Sequence, residues 1–187
     1  MGEGKRTAAQ ALKLDLYTWL QALTAALLLL VALFTFVGRV VGVEGISMEP
    51  TLRDGDTILL RSLGYTPAQG DVVVLTKPFG TVSGPIVKRV VAVAGQRVQI
   101  DYDSGTVSVD GAVLEEPYLD SPMRWPAGTT ETLTDLTVPE GSVFVMGDNR
   151  EHSADSRDER LGPVDVRYIL GKAEWILLPA GHFGPIG

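Results

Sequence analysis

The hydrophobic and polar positions divide the chain into two parts with different patterns. No charged side chain occurs between Asp15 and Arg39, and the run from Leu16 to Gly38 consists mainly of Leu, Ala, Val and Phe. A helix needs about 20 apolar residues to cross roughly 30 Å of hydrocarbon, so this run is long enough to span a membrane. The pattern therefore predicts a membrane anchor and its exit over residues 16–43.

The charges that flank the run indicate its orientation. Lys5, Arg6 and Lys13 precede it, and this positive charge favours a cytoplasmic N-terminus. Residues 1–15 are therefore predicted to be a cytoplasmic tail, and the chain beyond the anchor to be extracytoplasmic. Two alternatives are a buried core helix, which nothing downstream looks able to enclose, and a cleaved signal peptide. Because the apolar core of a signal peptide is usually about 7–15 residues long, a single uncleaved anchor in the cell membrane is favoured.

From Glu44 onward the pattern changes to short β-type runs separated by turn residues. Alternation and β-branched residues predict strands at 56–60, 71–75, 86–94, 97–102, 106–109, 112–114, 142–146 and 169–178. The last of these is expected to be the final strand, and residues 120–134, rich in Pro, Gly and Thr, are expected to form a loop. Residues 44–187 are thus predicted to be a mainly β domain of antiparallel strands.

Composition excludes several classes of function. The net charge of −7 argues against a nucleic-acid partner. The chain has no cysteine, which excludes disulfides, a thiol nucleophile and a cysteine zinc site. Its two histidines argue against a histidine-rich metal centre. No metal and no cofactor are therefore expected.

Two positions could carry chemistry. Ser47 follows the apolar run closely, so it is either an ordinary loop hydroxyl or a nucleophile near a membrane surface. Lys88 and Arg89 interrupt an apolar β-type run, so at least one cation is expected at the edge of the core. Burial lowers the pKa of a lysine and makes its amine available as a base, and a fall from about 10.4 to about 8 would cost about 3 kcal/mol. The alternative is a pair of cations that reaches solvent from an edge strand.

The segment 147–157 follows a predicted strand and is dense in hydrogen-bonding groups. It is either a solvated polar loop or a scaffold for a site. As a scaffold, Asp148 and Asp155 could form ion pairs, and Ser153 could hydrogen-bond and orient a lysine amine. The arginines available for these pairs include Arg89, Arg150 and Arg157.

Taken together, these stretches resemble the successive signature segments of bacterial type I signal peptidases (leader peptidases) of the small single-span type. Their order and spacing after an anchor all match, at residues 47–52, 70–73, 88–90 and 147–157, and the resemblance extends through 171–173 to about Leu178. It implies a β-rich Ser-Lys peptidase domain with a small cap, anchored in the membrane. Such an enzyme would cleave signal peptides from exported preproteins after small residues, so its partners would be those preproteins and the lipid bilayer.

The resemblance also implies a role for each matching residue. Ser47 would be the nucleophile, Lys88 the general base, and Ser153 the group that holds the Lys88 amine. Some members have a hydroxyl residue two positions before the nucleophile, where this chain has Gly45, so backbone N–H groups at Gly45 and Ser47 are expected to stabilise the oxyanion. The remaining supporting residues would be Met48, Arg89, Asp148, Asp155 and Arg157.

Three other functions compete with this interpretation. A Ser-His-Asp hydrolase would use Ser47 with His152 and an aspartate. An anchored β domain that only binds would not need the Ser47 hydroxyl. A self-cleaving Ser-Lys repressor would require a DNA-binding domain where the apolar run stands.

Overall fold

The apolar run near the N-terminus forms a single long helix. The computed structural model describes residues 8–36, 38–79, 84–121, 123–124 and 133–187. Helix α1 covers Ala8–Phe36 and begins before the apolar run, because residues 8–15 are mostly good helix formers. Its segment Asp15–Ala32 is long and apolar enough to cross a membrane, and none of it is buried by the described chain. By length and composition, this segment is a candidate membrane span.

The described chain beyond the helix consists mainly of strands. They are β1 (Gly38–Gly42), β2 (Thr57–Arg61), β3 (Val72–Leu75), β4 (Ile86–Val93), β5 (Arg97–Asp101), β6 (Thr106–Val109), β7 (Ala112–Val113), β8 (Asp135–Thr137), β9 (Ser142–Met146), β10 (Val164–Asp165), β11 (Ile169–Leu178) and β12 (Gly184–Pro185). Short 3-10 helices cover Val166–Tyr168 and Ala180–His182. The larger sheet has the order β1-β2-β11-β3-β4-β9-β10, with β12 on β11, and the smaller sheet has the order β7-β6-β5-β8. Each pair with a described register is antiparallel.

Strand β3 lies between two hydrophobic clusters. Val72 and Val74 belong to a cluster that includes Met48, whereas Val73 and Leu75 belong to a cluster that includes Val90. Because alternate residues of a strand face opposite sides, β3 is buried on both faces, which explains its unbroken apolar sequence. A further cluster joins β4 and β9 to the smaller sheet.

The mainly β, antiparallel fold class is confirmed, and the predicted strands occur within one or two residues of their expected positions. Four differences concern short strands. Strands β8 (Asp135–Thr137) and β10 (Val164–Asp165) were not predicted. Residues 38–42, assigned to the membrane exit, form β1, and the expectation that 169–178 is the last strand is wrong because Gly184 and Pro185 of β12 pair with it. A strand of two residues has too little periodicity to be recognised. Residues 1–7 of the predicted tail, and Pro122 and 125–132 of the predicted loop, lie outside the described residues.

The chain divides after Gly38 into two compact units, the second of which begins at Arg39. This division lies within the predicted anchor and membrane exit at 16–43. The assignment of residues 1–15, 16–43 and 44–187 to a tail, an anchor and an extracytoplasmic domain stays a prediction.

Candidate active site

Ser47 lies in a turn between β1 and β2 that is fixed on both sides. The Val43 N–H donates to the Asp56 carbonyl at 2.7 Å, which closes the base of the loop. The Leu52 N–H donates to the Met48 carbonyl at 2.9 Å. Met48 and Leu52 are 1% and 0% exposed and pack into the core. The half-buried Ser47 therefore sits on a turn that hydrophobic burial holds in place.

Lys88 reaches this turn from strand β4. Its side chain is buried at 3% exposure, and its Nζ contacts Ser47 Oγ at 2.7 Å and the Val87 carbonyl oxygen at 2.8 Å. Burial lowers the pKa of Lys88 from 10.5 to about 8, although the carboxylates of Asp155 and Asp148 oppose the shift. This lowered pKa agrees with the fall expected for a lysine at the edge of the core, because a desolvated amine favours its neutral form.

An ion pair between Arg89 and Asp148 lies beside the turn that carries Ser47. Arg89 Nε and Nη2 donate to the two Asp148 oxygens at 2.9 and 2.8 Å, and both side chains are buried. The pair forms because Arg89 of β4 is in register with Met146 of β9, two residues before Asp148. Thr51 Oγ1 donates to Asp148 Oδ2 at 2.5 Å. The pair is thereby connected to the turn that carries the serine.

Asp155 and Arg157 form another buried ion pair. Arg157 donates from Nε and Nη2 to the two Asp155 oxygens, each at 2.8 Å, and the Gly147 N–H donates to Asp155 Oδ2 at 3.0 Å. Burial alone would raise the pKa of Asp155, but the Arg157 charge and these hydrogen bonds outweigh it and lower the pKa. Asp155 is therefore a carboxylate, and its charge moderates the loss of the proton from Lys88.

Gly147 lies directly against the backbone of the turn that carries Ser47. A Cβ added there would be 2.4 Å from the Ser47 carbonyl oxygen and 2.3 Å from Ser153 Oγ, so the position has no room for a side chain. Ser153 is thus brought next to the site. Its Oγ is shielded from solvent near the Asp155 carboxylate, but it does not meet hydrogen-bond geometry to any residue that the structure describes. Its expected hydrogen bond to the Lys88 amine is not formed in this arrangement.

The backbone donors expected for an oxyanion site differ in availability. The Gly45 N–H donates to Asp54 Oδ1 at 2.7 Å, so it is already occupied. Gly45 has a φ of +85°, a conformation that favours glycine and lets the chain enter the turn. The Ser47 N–H has no hydrogen-bond acceptor within the described part of the chain. The Ser47 N–H is therefore the donor available next to the hydroxyl.

Neither histidine is arranged as a partner for Ser47. His152 is exposed, and its Nδ1 lies 3.2 Å from Asn149 Oδ1. His182 Nδ1 lies 2.9 Å from Asp56 Oδ2. Among the described residues, no group of three or more His, Cys, Asp or Glu side chains is arranged to hold a metal ion. Among the described contacts, the Ser47 hydroxyl therefore meets Lys88 and neither histidine.

Three residues of the site were given no role from the sequence. Thr51 falls inside a recognised segment, but its bond to Asp148 depends on the fold. Glu116 forms an ion pair with buried Arg150, with Nη2 and Oε1 2.5 Å apart. The guanidinium carbon of Arg89 lies 3.9 Å above the centre of the Tyr118 ring. No local pattern marks Glu116 or Tyr118, because the arginines that they contact lie about 30 residues away in sequence.

The chain matches known proteins over most of its length. The family model described as signal peptidase, peptidase S26, matches residues 16–178. Signal peptidase I of Mycobacterium tuberculosis is 35% identical, over 86% of this chain and 72% of that protein. Signal peptidase I of Bacillus licheniformis is 33% identical, over 89% of this chain and 91% of that protein. A crystal structure of a signal peptidase I from Enterococcus faecalis is 28% identical, with a TM-score of 0.46 over 58% of this chain and 97% of that one.

Proposed function

The chain belongs to the signal peptidase family, peptidase S26, and from that premise we propose that it is a membrane-anchored serine endopeptidase with a Ser47–Lys88 dyad. Its substrates are exported preproteins, from which it removes the signal peptide after small residues. The observation that carries the proposal is the 2.7 Å contact between Lys88 Nζ and Ser47 Oγ, made by a lysine that is almost completely buried. Lysine in that position can act as a base only when its amine is neutral.

The lowered pKa of Lys88 supports the role of base at ordinary pH. With a pKa of about 8, roughly one amine in ten is neutral at pH 7, compared with about one in three thousand for the usual value of 10.5. Neutral Lys88 accepts the Ser47 proton as the oxygen attacks the scissile carbonyl. Protonated Lys88 then donates to the leaving amine, and after this step it serves as base for the water that hydrolyses the acyl-enzyme.

The surrounding residues support this chemistry by fixing the two reacting side chains. The Ser47 N–H is placed to donate to a developing oxyanion, since it has no other acceptor within the described residues. The ion pairs Arg89–Asp148 and Asp155–Arg157 hold the strands and the loop around the dyad. Ser153 is proposed to hydrogen-bond the Lys88 amine during the reaction, because its Oγ and the Ser47 backbone meet at Gly147. Met48 supports the nucleophile from the core.

The proposed location follows from the anchor and the family. The segment Asp15–Ala32 has the length and composition of a membrane span, and a peptidase anchored by it would meet substrates whose own apolar segment is still in the bilayer. We place the N-terminus in the cytoplasm because of the positive charge before the anchor. The catalytic domain then lies on the extracytoplasmic side, where signal peptides emerge.

The test is cleavage of a purified preprotein by the full-length chain in detergent micelles. Ser47→Ala and Lys88→Ala are each expected to lower kcat by about 10²-fold or more, because each removes an indispensable group. His152→Ala is the matched control and should cleave at the rate of the unsubstituted protein. Retention of activity by Lys88→Ala would overturn the Ser-Lys mechanism, and its loss in His152→Ala would favour a Ser-His-Asp hydrolase.

A further inference from the structure

The segment that follows β7 contributes a buried acid to the site. Glu116 Oε2 and Oε1 accept from Arg150 Nη1 and Nη2 at 3.1 and 2.5 Å, and the two side chains are 8% and 2% exposed. Within the described residues, Glu116 is the acid paired with Arg150. A buried cation that loses such a partner is strongly destabilising. Glu116 therefore determines whether the Arg150 guanidinium can occupy this position.

Arg150 in turn holds the backbone that contacts the nucleophile turn. Its Nε donates to the Gly147 carbonyl oxygen at 3.0 Å, and Gly147 leaves no space for even a methyl group beside the Ser47 carbonyl. The Asn149 N–H donates to the Ser47 carbonyl oxygen at 3.1 Å. A shift of Arg150 would thus displace the peptide against which Ser47 rests.

Tyr118 connects the same acid to the other side of the dyad. Its hydroxyl donates to Glu116 Oε1 at 2.8 Å, and its ring lies 3.9 Å from the guanidinium carbon of Arg89. A buried guanidinium on an aromatic face is attracted by the negative face of the ring. Burial raises the pKa of Tyr118, so its hydroxyl stays protonated and able to donate. Arg89 follows Lys88 directly in β4, so the ring also restrains the strand that carries the proposed base.

We infer that Glu116 and Tyr118 are positioning residues for the Ser47–Lys88 dyad. The inference rests on the function proposed above and adds a part of the chain outside the recognised segments. The ion pair of Glu116 with Arg150 leads to Gly147 and the turn that carries Ser47. The hydrogen bond from Tyr118 leads to Arg89, which is next to Lys88 on β4. Because a misplacement of about 1 Å can cost about 100-fold in rate, the two residues affect catalysis without touching the substrate.

The decisive variant is Glu116→Gln, with Glu115→Gln as its matched control. The two substitutions remove the same charge at adjacent positions, but Glu115 is exposed and Glu116 is paired. The full-length proteins are compared in detergent by kcat and KM for a preprotein, corrected for the folded fraction. Glu116→Gln is expected to lower kcat by about 10-fold or more with KM changed less than about twofold. Glu115→Gln should match the unsubstituted protein.

Tyr118 provides a second pair of variants if Glu116→Gln does not fold. Tyr118→Phe keeps the ring over Arg89 and loses the hydrogen bond, whereas Tyr118→Leu loses both. We expect kcat to decrease from the unsubstituted protein to Tyr118→Phe and further to Tyr118→Leu, with similar KM values. A merely structural role would change the folded fraction but leave kcat per folded molecule unaltered, and that result, or equal kcat for the Phe and Leu variants, would overturn the inference.

Lys88→Ala is measured in the same assay to separate the two proposals. Activity that persists without Lys88 would overturn the Ser-Lys mechanism and, with it, the inference that depends on that dyad. Loss of activity in Lys88→Ala, together with a Glu116→Gln enzyme as active as Glu115→Gln, would overturn only the positioning role.

Discussion

Replacing Lys88 with methionine is expected to stabilise the fold while it abolishes cleavage. The pKa of Lys88 is lowered by burial from 10.5 to about 8, so between these pH values the unfolded chain binds a proton that the folded chain does not. Stability therefore rises with pH through this window, and below pH 8 the full cost of burying the charge is present. At 1.36 kcal/mol per unit of pKa, that cost is about 3 kcal/mol.

Methionine removes this cost but also removes two contacts. The lysine amine bonds Ser47 Oγ and the Val87 carbonyl oxygen, and each such bond contributes about 1 kcal/mol net. The expected gain in the free energy of unfolding at pH 7 is therefore about 1–2 kcal/mol. Near pH 10.5 the charge penalty has disappeared, so the methionine variant should be the less stable protein there.

The measurement is urea unfolding of both full-length proteins in detergent, followed by circular dichroism from pH 7 to 10.5. The difference between the two free energies cancels the titration of all other groups. This difference should change by about 3 kcal/mol over the range, in the direction that favours lysine at high pH. If the two stabilities ran parallel with pH, Lys88 would have a normal pKa in the folded protein and the proposed base would lack its physical basis.

Two further predictions concern the dyad and its closest neighbour. Because neutral Lys88 is the proposed base, kcat/KM for preprotein cleavage should rise as pH increases through about 8. Lys88→Arg should be inactive at every pH, because a guanidinium keeps its proton. A value of kcat/KM that does not change with pH would contradict the role of Lys88 as base. Gly147→Ala would place a Cβ 2.4 Å from the Ser47 carbonyl oxygen, so it should lower kcat by about 10-fold or more and also lower Tm. In Gly181→Ala the new Cβ meets nothing within 4 Å, so equal kcat and Tm values in the two variants would refute the packing argument.

The sequence by itself determined the apolar N-terminal helix, the fold class and the positions of the long strands. A run of apolar residues without charge can only be hidden in a core or in a membrane, so α1 was recognisable from composition and length. Strands such as Ile86–Val93 and Ser142–Met146 carry β-branched residues in runs long enough to detect. The signature segments also identified the family, which the relatives confirm. These features are local, so neighbouring residues specify them.

Only the tertiary structure decided which side chains meet. The 2.7 Å contact between Ser47 and Lys88 joins residues 41 positions apart, and the choice of Asp148 as partner for Arg89 follows from the register of β4 against β9. Glu116 and Tyr118 could not be assigned from the sequence, because their partners come from other strands and loops. The pKa of Lys88 depends on how completely those elements exclude water. Pairing and burial are properties of distant segments brought together, and no single stretch of the chain contains them.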